Sequence, residues 1–127
     1  MSNKPCLFID DERFPPDDKR HWVTVRTSAA AIAWIKKHGI PHFISFDHDL
    51  GGTDTAMEVV KFIAKNTIEL KNMTARERWF TLATEGRISG LKFPIGFMYY
   101  VHSQNPIGKR NIEGMMNSIL KEMLYGR

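Results

Sequence analysis

Three short apolar runs in this chain each end on acids or a histidine. Cys6-Leu7-Phe8-Ile9 runs into Asp10-Asp11-Glu12, Phe43-Ile44-Ser45-Phe46 into Asp47-His48-Asp49, and Phe97 to Val101 into His102-Ser103-Gln104-Asn105-Pro106. Runs of this kind read as buried strands. Laid parallel in one sheet, they bring their carboxyl ends to a common edge, which is where open α/β folds bind ligands. The polar residues then converge on a single pocket.

The segments between the runs read as loops, one further strand and helices. Phe14-Pro15-Pro16-Asp17-Asp18 is loop, because paired prolines remove backbone donors and fix the chain. Trp22 to Arg26 reads as a strand. Thr27 or Ser28 caps a helix from Ala29 to His38, stopped by Gly39 with Pro41 beyond. Ile32 and Ile35 of that helix face the sheet, with Ala31 and Trp34 beside them. After Gly51-Gly52, Thr55 and Glu58 predict a capping box for a helix to about Asn66, whose apolar stripe is Met57, Val60, Ile63 and Ala64. Ala75 to Thr84 reads as a short helix and Glu85 to Gly90 as a turn or loop. Both lie in a long stretch, residues 67–94, which predicts an insertion or lid before the last strand. Ile112, Met115, Met116, Ile119, Leu120, Met123 and Leu124 keep helical spacing, so these methionines read as core.

Strands alternating with helices imply right-handed crossovers and a doubly wound, mostly parallel sheet covered on both faces. At 127 residues, the expectation is one α/β domain over residues 1–127. The single cysteine, Cys6, excludes an internal disulfide and reads as a small buried hydrophobe. No apolar stretch reaches the length of a membrane span, and Met-Ser-Asn-Lys-Pro lacks a signal-peptide core, so a cytoplasmic protein is expected. The net charge is +4, yet the densest acids sit at the expected pocket. Basic residues such as Lys36, Lys37, Arg76, Arg78, Arg87, Lys92, Lys109 and Arg110 therefore surround an acidic centre, which suits an anionic substrate meeting a cation or a general base.

Each strand end carries its own chemistry. The neighbouring carboxylates Asp10 and Asp11 repel, and call for a divalent cation, a basic side chain such as Arg13, or a shared proton. Asp47-His48-Asp49 flanks an imidazole with two acids; on an extended backbone Asp47 and Asp49 share a side while His48 faces the other way. His102-Ser103-Gln104-Asn105 precedes a helix start, where backbone donors and the dipole favour an anion, with Lys109 and Arg110 close by. No Walker loop, dinucleotide glycine fingerprint, zinc-type spacing or nucleophile-elbow serine is present.

Taken together, Leu7 to Arg13, Val25-Arg26-Thr27, Ile44 to Gly51 and Val101 to Gly108 resemble the cyclic-phosphate processing receiver-like family, a divergent branch of the response-regulator receiver fold found in bacteria and their viruses. The resemblance implies a receiver or flavodoxin-like sheet. In a receiver, an acid pair follows the first strand and a phosphoacceptor aspartate the third, matched here by Asp10, Asp11 and Asp47. Ser103 stands where receivers use a hydroxyl, while their later lysine has no counterpart. His48, Asp49 and His102 are additions that a hydrolase uses and a phosphorelay does not.

The resulting expectation is a phosphoesterase opening a cyclic phosphodiester, with RNA 2′,3′-cyclic phosphate ends or cyclic nucleotides as substrate. Asp10, Asp11 and Asp47 would hold Mg²⁺ or another divalent cation. His102 and His48 would act as base and acid, with Asp49 and Ser103 tuning them. Arg13, Arg26, Ser103, Asn105, Lys109 and Arg110 would hold phosphate oxygens. Trp79 and Phe80 either stack on a base from the lid or fill the core. The rival readings are a phage or bacterial module that binds a cyclic nucleotide or host protein without turnover, and a phosphoaccepting receiver.

Overall fold

A computed structural model describes residues 4–85 and 91–125. Its four strands, β1 (Pro5–Ile9), β2 (His21–Val25), β3 (Phe43–Phe46) and β4 (Met98–Val101), form one parallel sheet in the order β2-β1-β3-β4. The chain leaves β1 toward β2, then returns across it to β3 and β4. This is the parallel α/β sheet expected from the sequence, and the reversal in its strand order puts the switch point between the carboxyl ends of β1 and β3.

The helices are α1 (Ser28–His38), α2 (Met57–Ala64), α3 (Ala75–Glu85) and α4 (Pro106–Leu120). Thr27 caps α1 by accepting from the Ala30 N–H at 3.0 Å, and Gly39 ends it in a left-handed conformation, φ +86°. Asp54 fastens the same helix start to the loop after β3, taking the Ser28 N–H at 2.9 Å and the Ser28 hydroxyl. Thr55 and Glu58 do not form the expected capping box: Ala56 precedes α2 without a side-chain cap, because Thr55 is held in an antiparallel bridge to Asp49. A reciprocal box occurs at α3 instead, where Thr74 and Glu77 exchange bonds of 2.9 and 3.1 Å. Beyond α2 the helix widens into a π-helical turn, Lys65–Glu69. There the Asn66 amide and Thr67 hydroxyl donate to the Phe62 and Ile63 carbonyls four residues back, competing with the regular backbone bonds.

The layering differs from the expected one. Leu7, Ile9, Ile44, Phe46 and Val101 meet Ala31 and Ile35 of α1, Val59, Val60 and Ile63 of α2, and Ile112, Met116 and Ile119 of α4 in one core on one side of the sheet. Ile32 is only half-buried at its margin. The alternate strand residues Phe8, Trp22, Phe43, Ser45 and Tyr100 line the other side, where Phe14 and Pro16 of the β1–β2 connection also lie. That connection is the proline-containing loop, so no helix between β1 and β2 is present to cover this face, and the covering of both faces by helices is corrected. Cys6 is buried, and burial pushes its thiol pKa up, as suits a packing residue. Among the described residues no helix is long and apolar enough to cross a membrane.

Trp79 and Phe80 lie on α3 at 70% and 62% exposure, which excludes the core as their location. Residues 86–90 and the side chain of Leu124 fall outside what is described. Phe46→Ala should lower stability by about 3–5 kcal/mol through cavity formation, while Trp79→Ala should change it by no more than about 0.5 kcal/mol. Urea denaturation checks both, and a large loss in the Trp79 variant would contradict this placement.

Candidate active site

The ladder of the sheet continues one residue past the strand ends. Asp10 N–H donates to the Val25 carbonyl at 3.1 Å, Asp47 N–H to Ile9 at 2.9 Å and His102 N–H to Phe46 at 2.9 Å. Because Ile9, Phe46 and Val101 are in register, Asp10, Asp47 and His102 form the next row across the sheet. Residues far apart in sequence are thus placed side by side by backbone bonds alone. Their ligand-capable atoms lie within 4.8 Å of one another, the one such group of three among the described residues.

Asp10 is fully buried and completely engaged. Its Oδ1 accepts the N–H groups of Glu12 and Arg13, each at 2.9 Å, and its Oδ2 lies 2.9 Å from His102 Nε2 and 3.7 Å from the Arg13 guanidinium. Burial by itself would raise the Asp10 pKa, but the backbone donors of Arg13 and Glu12 together with His102 hold it below the usual carboxylate value. Asp47 goes the other way. Burial and the neighbouring Asp10 charge push its pKa up, only partly offset by His102, Arg13 and the Ser103 hydroxyl. Two adjacent carboxyls with opposite shifts divide the labour: one holds charge, the other can exchange a proton.

The His102 ring is fixed on all sides. It stacks on Phe8 at 4.8 Å with planes 4° apart, and its Nδ1 lies 2.7 Å from the Ser45 hydroxyl. An ionised Asp10 can only accept, so Nε2 carries the hydrogen of the neutral ring and Nδ1 accepts from Ser45. Asp10, His102 and Ser45 therefore make a carboxylate–imidazole–hydroxyl relay, with the hydroxyl on the open face of the sheet.

Beside this row lies a cleft of about 690 Å³ lined by Asp11, Glu12, Arg13, Asp47, Asp49, Gly51, Gly52, and Ser103 to Pro106. Asp11 faces the cleft but stands outside the group of Asp10, Asp47 and His102. Asp49 lines it too, whereas His48 turns away: its Nδ1 is 2.9 Å from Asp49 and its ring lies against the first turn of α4. The His48 bond, then that of Asn105, holds the exposed Asp49 carboxyl below its usual pKa. Asn105 caps α4 through Gly108 N–H at 2.9 Å and reaches Asp49 with its amide at 3.2 Å, joining the two loops of the cleft. Arg26 donates to the backbone carbonyls of Asp10 and Arg13 and shapes their loop. Lys109 and Arg110, on the first turn of α4, do not line the cleft.

The donor set fits a divalent ion. Two carboxylates and an imidazole match a first-row transition metal better than Mg²⁺, which prefers oxygen alone. The same Asp10 and His102 atoms serve either that ion or the proton between them.

Sequence reasoning missed Ser45 and Gly108. Ser45 is the lone hydroxyl in Phe43–Phe46, and strand alternation gives it the parity of Asp47. Gly108 carried no local signal: a Cβ there would lie 2.3 Å from His48 Cγ, a contact across 60 residues of sequence.

The sequence matches the family model of the Cyclic-phosphate processing Receiver domain over residues 6–86. The match takes in most of the stretch after Thr67 that the resemblance left out, and stops before Val101 to Gly108, so His102 joins the matched residues through the sheet. No curated protein and no solved structure is significantly similar to the chain.

Asp47→Asn should be more stable than the parent at pH 7. A raised folded pKa means that stability falls as pH rises above the unfolded carboxylate value, a loss that the amide avoids. The gain in Tm should shrink as pH falls and vanish below the unfolded carboxylate value, and thermal melts across pH check it. Gly108→Ala, favourable in an ordinary helix, should here cost about 1–3 kcal/mol by crowding His48. Adding His48→Ala should recover most of that loss, as a double-mutant cycle would measure.

Proposed function

The chain belongs to the Cyclic-phosphate processing Receiver domain family, and from this we propose that it hydrolyses a cyclic phosphodiester, a 2′,3′-cyclic phosphate at an RNA end or in a nucleotide, to a phosphomonoester. The observation that carries the reading is the row Asp10–Asp47–His102 with the two aspartates shifted in opposite directions. In ring opening, water attacks phosphorus, one P–O bond of the ring breaks, and the freed ribose oxygen takes a proton. Asp47 lines the cleft and is the base that takes the proton of the attacking water. The acid is His102 in its doubly protonated form, held between Asp10 and Ser45: its Nδ1 proton passes to the Ser45 oxygen as the Ser45 proton passes to the leaving oxygen, and the ring is left in the neutral form described above. The Arg13 guanidinium, exposed at the cleft, and the Asn105 amide hold phosphate oxygens as charge builds.

Four acids line the same cleft, Asp11, Glu12, Asp47 and Asp49, against the single arginine Arg13. A divalent cation held by Asp47, Asp10 and His102 would polarise the phosphoryl group when bound, and would replace the proton transfers assigned to Asp47 and His102 rather than accompany them.

The test is product formation from adenosine 2′,3′-cyclic phosphate. Asp47→Asn, His102→Ala and Ser45→Ala should each lower kcat by about 10²- to 10⁴-fold without loss of fold. In the parent, kcat/KM should rise with pH through a value above that of an ordinary aspartate, since Asp47 must be ionised to accept the proton. Asp47→Asn should lack that limb. Binding heat without product would favour a non-catalytic binding module, and full activity in Asp47→Asn would remove the mechanism.

A further inference from the structure

The open face of the sheet carries a second cavity, of about 480 Å³, within the size range of small-molecule sites. Each strand supplies one aromatic ring to it: Phe8 from β1, Trp22 from β2, Phe43 from β3 and Tyr100 from β4. Phe8 and Trp22 meet edge to face at 5.7 Å and Trp22 and Phe43 at 5.5 Å, so these three rings form one cluster in the floor, with Tyr100 at its rim. The Arg20 guanidinium, paired with Asp18, covers the Phe43 end at 4.9 Å from the ring. At the rim, Phe14 and Tyr100 are 82% and 57% exposed, far more than a core contact allows.

This trough joins the acidic cleft. Arg13 lines both, and His102 and Ser45 of the relay form the trough wall. We propose that the trough is a nucleobase subsite, holding the base of a nucleoside cyclic phosphate by stacking while its phosphate lies at Arg13. A sheet face of aromatic rings holds single-stranded bases in RNA-recognition sheets by the same physics, since a flat apolar ring and a base bury their π faces together. The surrounding charge agrees: Arg13 and Arg20 border a trough that holds no acid among the described residues and is apolar apart from Ser45 and His102, and complement an anionic ligand. A second copy docked face to face across a two-fold axis would set this arginine-bearing patch against itself. With stacking as the main contact, the site should accept all four bases, purines more tightly.

The phosphate half of this proposal rests on the reaction proposed above, whereas base stacking does not. The experiment compares adenosine, adenosine 2′,3′-cyclic phosphate and the base-free methyl riboside 2′,3′-cyclic phosphate, on the parent, Tyr100→Ala and Tyr100→Phe. The parent should prefer the adenosine compound to the base-free one by about 10- to 100-fold in KM or Kd. Tyr100→Ala should lose most of that preference, Tyr100→Phe should keep it, and neither should alter kcat/KM for the base-free substrate. Equal affinity for both cyclic phosphates overturns the subsite while leaving the reaction standing. Adenosine bound in a Tyr100-dependent manner with no turnover of either cyclic phosphate supports the subsite and overturns the reaction. If Tyr100→Ala changes sedimentation of the free protein and leaves nucleotide affinity as it was, the face is a subunit contact and the proposal falls.

Discussion

A carboxylate with no solvent exposure must find all its partners within the protein, and Asp10 finds them in three places that would otherwise be independent. Its Oδ1 draws in the backbone of Glu12 and Arg13 and so fixes the loop after β1. Its Oδ2 takes the imidazole of His102, 92 residues away. Burial raises the pKa of Asp47, and the Asp10 charge, kept by those bonds, raises it further. Loop shape, ring tautomer and proton affinity at the site therefore follow from one buried ion. Removing that carboxyl would leave two backbone donors and a ring nitrogen without their partner, and would release Asp47 from its neighbour's field.

The open aromatic face follows from a different constraint, the connection between β1 and β2. Pro15 and Pro16 stand where a crossover helix would run, and neither can supply the backbone donor a helix interior requires. A right-handed passage from β1 to β2 crosses the face opposite α1, so the absence of a helix there exposes that face alone. The loop lays Arg13, Phe14, Pro16 and Arg20 over it. Aromatic rings and Arg20 occupy the space instead, and His102 stacks on Phe8 as part of the same layer. The geometry of the imidazole is thus supported by the surface proposed to hold the base.

The strand ends were legible in the sequence because an apolar run closed by an acid is a local pattern, and parallel pairing carries that pattern to one edge. The alternation around His48 was legible for the same reason: Asp47 and Asp49 both line the cleft, and His48 faces α4. The layering was not. Cys6, Phe8 and Phe43 make the strands apolar on both faces, which reads as burial between two helical layers, although on one side the rings mostly meet one another. The capping box was misplaced because Thr55–Glu58 and Thr74–Glu77 have the same spacing, and only the bridge between Asp49 and Thr55 decides between them. Gly108 acts through a contact across 60 positions, beyond the reach of any local pattern, whereas Ser45, whose contact spans 57 positions, was marked only by its parity with Asp47.

Charge then argues for where an anion would sit. Four acids and one arginine line the cleft, so a phosphate placed deep within it meets like charge that no lysine among the described lining residues offsets. At the junction with the trough the balance changes, because Arg13 is shared by both cavities and its guanidinium is held in place by Asp10 and the His102 carbonyl. An anion there can accept from Arg13 while remaining within reach of the relay. The acids that repel it from the deeper cleft also leave that space to water, on the side where Asp47 can accept a proton. Repulsion in the cleft and attraction at its mouth would orient a cyclic phosphate the same way, with its base toward the aromatic face and its phosphorus toward Asp47.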